Sequence, residues 1–142
     1  MHALEIRLAS FARPLFGATF MRFIAYLGLC AAYLQGGLNK LTDFPAAIGE
    51  MTHFGLSPAP LFAVLVILLE LAASLMILTG FFRWLGALAL GGFTLMATFL
   101  ALRFWELPDG MERFLAANSF FEHLGLVGGF LLVAWLDLRE KA

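Results

Sequence analysis

The chain has 142 residues, of which 62% are hydrophobic and only 13% are charged, and its mean hydropathy is +0.91. A soluble domain has roughly 45–50% apolar and about 25% charged residues, and a chain this short has too little interior to bury the excess away from water. This composition disfavours a soluble enzyme, a disordered protein and a nucleic-acid-binding protein, and the net charge of −1 provides no basic surface for DNA or RNA. It predicts a single integral-membrane domain over residues 1–142, with the lipid bilayer as its solvent.

The first predicted element is a short amphipathic helix near the N-terminus. Leu4, Leu8, Phe11 and Leu15 recur at the spacing of one helix face, with polar residues between them. This pattern is typical of a helix that lies on a membrane surface, and the segment Pro14–Gly17 is expected to end it.

Four apolar stretches follow, and about 20 residues are needed to cross the hydrocarbon core. They cover residues 20–38, 59–79, 84–102 and 120–136. The last reaches spanning length only if Phe120 and Phe121 begin it, which places Glu122 and His123 about one turn inside the membrane; a half-span is the alternative. The sequence thus predicts an all-α fold, a four-transmembrane-helix bundle with short amphipathic surface helices.

The connections between the spans also carry local signals. Phe81–Arg83 is expected to form a tight turn, which makes the second and third spans antiparallel neighbours. The connection over residues 39–58 is long enough for a surface helix capped by Asp43 and stopped by Gly55. Its apolar face would be formed by Phe44, Ile48 and Met51. Residues 103–119 are expected to hold a turn at Pro108–Gly110 and a short stretch after it.

The distribution of basic residues predicts the orientation. Four spans place both termini on one side, with six basic residues there and three on the other side. Because basic residues in short loops stay in the cytoplasm, the N- and C-termini are expected to be cytoplasmic.

Small residues predict the packing faces, since helices in lipid associate through close contact and buried polar groups. The predicted faces are Gly28, Ala32, Gln35, Gly36 and Asn39 in the first span; Ala73 and Ser74 in the second; Ala87, Gly91, Thr94 and Thr98 in the third; and Gly125, Gly128 and Gly129 in the fourth. We expect these faces to meet in one bundle, and some of them are alternatively suited to a homodimer.

The order of several short motifs resembles the DoxX family of small bacterial inner-membrane proteins. The motifs are Gly36-Gly37-Leu38-Asn39-Lys40-Leu41, Gly55-Leu56-Ser57-Pro58, Leu69-Glu70-Leu71, Leu78-Thr79-Gly80-Phe81-Phe82-Arg83, Phe104-Trp105 and Asn118 with Gly128-Gly129. The resemblance covers roughly residues 22–136 and implies four helices in the bacterial inner membrane. Some relatives are membrane subunits beside thiosulfate- or quinone-linked oxidoreductases. The resemblance therefore implies a redox partner and a quinone ligand.

Glu70 is the one charged residue deep inside a predicted span. It lies 11 residues after Ala59, which is close to the bilayer midplane at about 1.5 Å per residue. An ionised carboxylate there is unfavourable by roughly 2.5 kcal/mol or more, so it must be paired, hydrated or protonated. Glu70 is therefore the first candidate for proton transfer. The structural alternative is a neutral acid that fixes helix register through a hydrogen bond to Gln35, Ser74, Thr94 or Thr98.

A second group of candidates lies at the outer ends of the spans. A histidine side chain can gain or lose a proton near neutral pH, so His123 joins Glu70 as a catalytic candidate, although two to three helical turns separate their predicted depths. The remaining candidates would bind a ligand in the same pocket: Gln35, Asn39, Lys40, Arg103, Trp105 and Asn118. The alternative is that the side chains of Lys40 and Arg103 only extend to the lipid headgroups, and that Trp105 is an anchor at the membrane interface.

These residue types leave three functions open. The first is a membrane component of a quinone-linked redox pathway, with a pocket around Glu70, which would make the chain a membrane subunit of an oxidoreductase. Cys30 is the only cysteine and His123 the only histidine near a span, so no iron–sulfur, haem or other metal site is predicted. The second function is a non-catalytic accessory or assembly subunit for a partner enzyme. The third is a carrier for a small solute, for which four helices are few unless the chain dimerises.

Overall fold

The computed structural model describes all 142 residues, and every regular element in it is helical. The helices are α1 His2–Phe16, α2 Thr19–Thr42, α3 Phe44–His53, α4 Ala59–Thr79, α5 Arg83–Ala101 and α6 Met111–Glu140, with a 3-10 turn at Phe104–Glu106. The all-α prediction is confirmed, and the predicted spans coincide with α2, α4, α5 and α6.

Three of these helices, α4, α5 and α6, are each long and apolar enough to cross a membrane. The fourth, α2, meets that standard only together with α1, from which it is bent by 72°. The reason is the composition of α2, which has a charged residue near each end, Arg22 and Lys40, and the polar Gln35 and Asn39 near its C-terminal end. The structure therefore has three or four candidate membrane spans.

The four long helices form a bundle in the order α2, α4, α5, α6. Each packs along the next, whereas α2 and α6 touch only lightly. The core between them contains Tyr26, Cys30 and Tyr33 of α2, together with Leu90 of α5 and Phe130 of α6. The edge of the Tyr33 ring meets the Phe130 ring at a centroid distance of 5.4 Å.

The small residues predicted on α4 and α5 lie inside the bundle, and Ala73 is at the contact between the two helices. Ala73, Ser74, Ala87, Gly91, Thr94 and Thr98 are all buried. The closest approach is at Gly86, where a Cβ atom would stand 2.8 Å from the carbonyl oxygen of Ala73. This pair of helices therefore depends on glycine for its spacing.

The packing faces predicted for α2 and α6 are only partly right: Gly36 lies against the Glu70 side chain and Gly129 against Leu29, whereas the other small residues do not pack on a neighbouring helix. Gly28 and Ala32 of α2 and Gly125 and Gly128 of α6 are exposed, and a Cβ atom at any of the three glycines would meet no neighbour within 4 Å. The residues that α2 and α6 bury are mostly larger, namely Tyr26, Cys30, Tyr33 and Gly37 on α2 and Phe120, Phe130, Val133, Ala134 and Asp137 on α6. α2 and α6 are not in close contact, so large aromatic side chains fill the space between them, where closely packed helices would have glycine.

α6 begins earlier than predicted, because the helix already starts at Met111, directly after the Pro108–Gly110 turn. Phe114, Leu115 and Asn118 accordingly lie on a helix and not in a loop. With 30 residues, α6 is long enough to cross a membrane, so the half-span alternative is not required.

The two short helices agree with their sequence signals. α1 ends at Phe16 and buries none of its residues against the bundle. α3 is capped by Asp43, whose Oδ1 accepts a hydrogen bond from the backbone N–H of Ala46 at 3.2 Å, and it ends just before Gly55, which has φ 72°. α3 packs on α4 through Ala47 and Met51, which contact Ala63.

One helix cap joins two separate helices. The first turn of α5 follows Phe82, and the backbone N–H of Trp84 donates a hydrogen bond to Oδ2 of Asp137 on α6 at 3.0 Å. Lys141 holds the same oxygen at 2.6 Å. A carboxylate at a helix N-terminus satisfies unpaired N–H groups and stabilises the helix dipole, so Asp137 fixes α6 to the start of α5. No local pattern in the sequence indicates this cap, because Trp84 and Asp137 are 53 residues apart.

Candidate functional site

The site is built around Glu70 on α4, whose exposed fraction is only 5%. Its Oε1 atom lies 3.3 Å from the Nζ atom of Lys40, near the C-terminal end of α2. Packing of α2 along α4 brings these two residues together. Lys40 therefore does not extend to the lipid headgroups as the alternative reading had it; it is the counter-ion of Glu70.

The other carboxylate oxygen of Glu70, Oε2, is buried and has no hydrogen-bond partner. A Cβ atom at Gly36 would stand 3.2 Å from it, so the missing side chain of Gly36 makes room for the carboxylate. The four hydrogen-bond partners considered from the sequence do not hold this carboxylate. Ser74, for example, donates its hydroxyl to the backbone carbonyl of Glu70 at 2.6 Å and not to the side chain.

Lys40 also lines a cavity of about 470 Å³ between α2 and α3, which we call the Lys40 cavity. Its walls are mostly polar and include Asn39, Asp43 and Glu50. Oε2 of Glu50 lies 4.0 Å from Nζ of Lys40. The exposed fractions of the side chains fall from 47% for Glu50 to 16% for Lys40 and 7% for Glu70. Three charged groups thus lead from the surface to the interior of the bundle.

Glu50 was absent from the candidate residues predicted from sequence. Its position in the sequence next to Met51 is the signal that indicates it. Met51 is buried, so that side of α3 faces the bundle. Asn39 is the predicted ligand-binding residue, besides Lys40, that the structure places in the wall of this cavity.

His123 lies in a different polar cluster. Its Nδ1 atom is 3.0 Å from Oγ1 of Thr98, which donates a hydrogen bond to the carbonyl of Thr94 at 2.6 Å. The Thr94 hydroxyl in turn contacts the Tyr33 hydroxyl. None of these bonds reaches the Glu70 carboxylate, and Gln35, predicted as the bridge, is exposed on α2 without a side-chain hydrogen bond. Glu70 and His123 therefore lie in two separate hydrogen-bonded groups.

The other predicted ligand-binding residues also lie outside the Lys40 cavity. Arg103 pairs with Glu106 at 3.4 Å, and both side chains are about half exposed. The Trp105 ring packs on the rings of Phe104 and Phe120 at centroid distances of 5.3 and 5.7 Å. Asn118 is exposed on α6. Arg103 and Trp105 thus make contacts within the α5–α6 connection, and none of the three residues contacts the site of Glu70.

Helices of this length and apolarity, packed around a buried ion pair, define a small integral membrane protein. The chain belongs to the DoxX family, because the DoxX family model matches residues 21–103, more than half of the chain. The matched segment contains Lys40, Glu50 and Glu70, whereas α6 with His123 and Asn118 follows it. No curated protein and no solved structure matches the chain.

Proposed function

We propose that this protein is the membrane component of a quinone-linked redox pathway, and that Glu70 with Lys40 carries protons for it. The observation that supports the proposal is the environment of the carboxylate, in which Lys40 contacts one oxygen while the other has no partner. An ionised carboxylate has several acceptor sites to satisfy, and a buried one with so few partners is unfavourable. Binding a proton at Oε2 would remove negative charge from the oxygen that has no partner.

The Lys40 cavity supports access of protons to this carboxylate. Its polar walls are suited to water, and Lys40 contributes to the wall while contacting Glu70 behind it. Reduction of a quinone consumes two protons for every two electrons, so a protonatable group inside the bundle with a polar path to the surface is a useful element for such a reaction. On this model the electrons come from a partner oxidoreductase.

The quinone itself does not fit the Lys40 cavity. A quinone ring requires an apolar slot, whereas Ala46 and Ala47 are the only hydrophobic residues among the eight that line the cavity. The aromatic cluster around Phe120 does not provide a slot either, because the rings of Phe99 and Phe104 contact it at centroid distances of 5.4 Å each. We therefore assign the quinone ring to the partner or to the interface with the partner.

The experiment is infrared difference spectroscopy of the purified protein in lipid nanodiscs during a pH change. A signal from a protonated carboxyl group that disappears in Glu70→Gln and persists in the matched variant Glu106→Gln is the expected result. Lipid extracts of the same samples are then analysed for ubiquinone and menaquinone. No Glu70 signal at any pH, together with no effect of Glu70→Gln on quinone turnover by the membranes, would refute the proposal.

A second candidate function, a non-catalytic accessory or assembly subunit, is favoured by a separate observation. α1 buries none of its 15 residues against the bundle, and its apolar side chains Leu4, Leu8 and Phe11 are exposed. Such a helix is free to lie on a partner or on the membrane surface. On this alternative, substitutions on α1 and on the segment of residues 39–58 reduce copurification of a partner enzyme, while Glu70→Gln leaves it unchanged.

A further inference from the structure

A groove of about 460 Å³ runs between α2 and α6, the two long helices that touch only lightly. Six of the nine residues that line it are hydrophobic. Leu29, Leu132 and Leu136 contribute the apolar walls. Gly129 forms part of the floor, where a Cβ atom would already be 3.2 Å from the Leu29 side chain. We call this feature the Arg22 groove, after the residue at its charged end.

That end is formed by an ion pair that connects the two helices. The Nη1 and Nη2 atoms of Arg22 donate to the two carboxylate oxygens of Glu140 at 2.7 and 3.0 Å, and Nε donates to the hydroxyl of Tyr26 at 2.6 Å. A second guanidinium, that of Arg83, lies 4.7 Å from the centroid of the Tyr26 ring. The side chains of Arg22 and Glu140 remain 35% and 51% exposed, so the end of the groove is accessible.

More basic than acidic side chains lie around this end. The basic ones are Arg22, Arg83 and Lys141, and the acidic ones are Asp137 and Glu140. The Asp137 carboxylate already accepts hydrogen bonds from the Trp84 N–H and from Lys141. Each terminal nitrogen of Arg22 has a second N–H that the bond to Glu140 does not use. The free hydrogen-bonding capacity at this end therefore suits an anionic ligand, and guanidinium groups bind phosphate with charge-assisted hydrogen bonds.

We propose that the Arg22 groove is a binding site for one phospholipid with an anionic headgroup. An acyl chain would lie along the apolar walls between α2 and α6, and the phosphate would meet the guanidinium of Arg22. A volume of about 460 Å³ is enough for one acyl chain and not for a whole phospholipid, so the rest of the lipid would remain in the bilayer. An amphipathic groove with a basic end matches a phospholipid, which joins an apolar chain to a negative headgroup. This site is independent of the function proposed for Glu70.

The test is native mass spectrometry of the full chain in detergent, mixed with phosphatidylglycerol and phosphatidylcholine that carry the same acyl chains. The wild-type protein is expected to retain one phosphatidylglycerol with about fivefold preference, the factor that one basic residue contributes at an anionic lipid surface. Arg22→Gln should abolish this preference, whereas Arg113→Gln, which lies at the other end of the bundle, should preserve it.

Two further variants separate lipid binding from a structural role of the ion pair. Glu140→Gln removes the competing carboxylate, so the preference for phosphatidylglycerol should rise; a purely structural pair predicts the same loss for Glu140→Gln as for Arg22→Gln. Gly129→Leu fills the groove and should reduce retention of both lipids, while Gly125→Leu on the open surface of α6 should not. Circular dichroism and thermal melting confirm that each variant is folded.

Several results would overturn the proposal. Equal retention of the two lipids by the wild-type protein would do so, as would a preference that survives Arg22→Gln in a folded protein. Efficient crosslinking between two chains through Leu132→Cys would assign the groove to an interface between copies instead. Such a crosslink can be assigned to the introduced cysteine, because the one native cysteine, Cys30, is buried.

Discussion

Lys40 and Glu70 are 30 residues apart in the sequence, yet Nζ of the first lies 3.3 Å from Oε1 of the second inside the bundle. Neither residue has another charged partner of comparable closeness, since Glu50 is 4.0 Å from Lys40. The pair solves the main energetic problem posed by the sequence, a carboxylate placed deep in an apolar helix. It also joins α2 to α4 by an interaction that apolar packing in lipid cannot supply.

The first prediction concerns the stability that this pair confers. Lys40→Met leaves the Glu70 charge buried without a counter-ion and should destabilise the fold by about 3 kcal/mol, because breaking a buried pair is unfavourable. The double variant Lys40→Met, Glu70→Gln should recover most of that loss, since no buried charge remains. Unfolding in mixed micelles by increasing dodecyl sulfate measures both. Arg103→Met, which breaks an exposed pair, is the control; a Lys40→Met protein as stable as this control would contradict the prediction.

The second prediction concerns the contact between α4 and α5. Gly86→Ala puts a methyl group 2.8 Å from the backbone oxygen of Ala73, which cannot rotate away. The helices must separate, and we expect a destabilisation of about 2 kcal/mol. Gly92→Ala is a matched control on the same helix, because a Cβ atom there meets nothing within 4 Å. The same unfolding assay applies, and equal stabilities of the two variants would show that the α4–α5 contact is looser than described.

The helices themselves could be predicted from the sequence, because apolar length and flanking charges determine where a chain can cross a bilayer. The local signals at α3 were equally reliable, since the Asp43 cap and the positive φ of Gly55 depend only on neighbouring residues. The start of α6 at Met111 was missed because its first turns contain polar and charged residues, which were assigned to a loop.

The partners of the candidate residues could not be predicted in the same way. The small-residue rule identified the buried faces of α4 and α5 but failed for most of α2 and α6, because it assumes that helices approach closely and these two do not. The counter-ion of Glu70 depends on how α2 packs along α4, which no local pattern in the sequence records. Lys40 was consequently grouped with His123, whereas the structure places His123 beside Thr98.

The third prediction concerns the cap that Asp137 provides. Asp137→Ala removes the acceptor for the Trp84 N–H and the partner of Lys141, and the side chain is almost fully buried. We expect a loss of about 1.5 kcal/mol, in the range for helix caps. Hydrogen–deuterium exchange of the first turn of α5 should rise in parallel. Asp109→Ala removes a fully exposed carboxylate paired with Arg113, and it should change neither quantity. Unaltered exchange at Trp84 in Asp137→Ala would rule out the cap.

The last prediction tests whether Glu70 and His123 act together. They share no hydrogen-bond partner, so the effects of Glu70→Gln and His123→Ala on the free energy of unfolding should add within about 0.5 kcal/mol. The positive control is the pair Thr98→Val and His123→Ala, since Oγ1 of Thr98 lies 3.0 Å from Nδ1 of His123. Those two should show a coupling of about 0.6 kcal/mol, the average for such bonds in a membrane protein. A coupling between Glu70 and His123 that exceeds this control would instead mean that both residues serve one site, as the sequence alone suggested. Additivity would confine the proton chemistry to Glu70, Lys40 and the cavity beside α3.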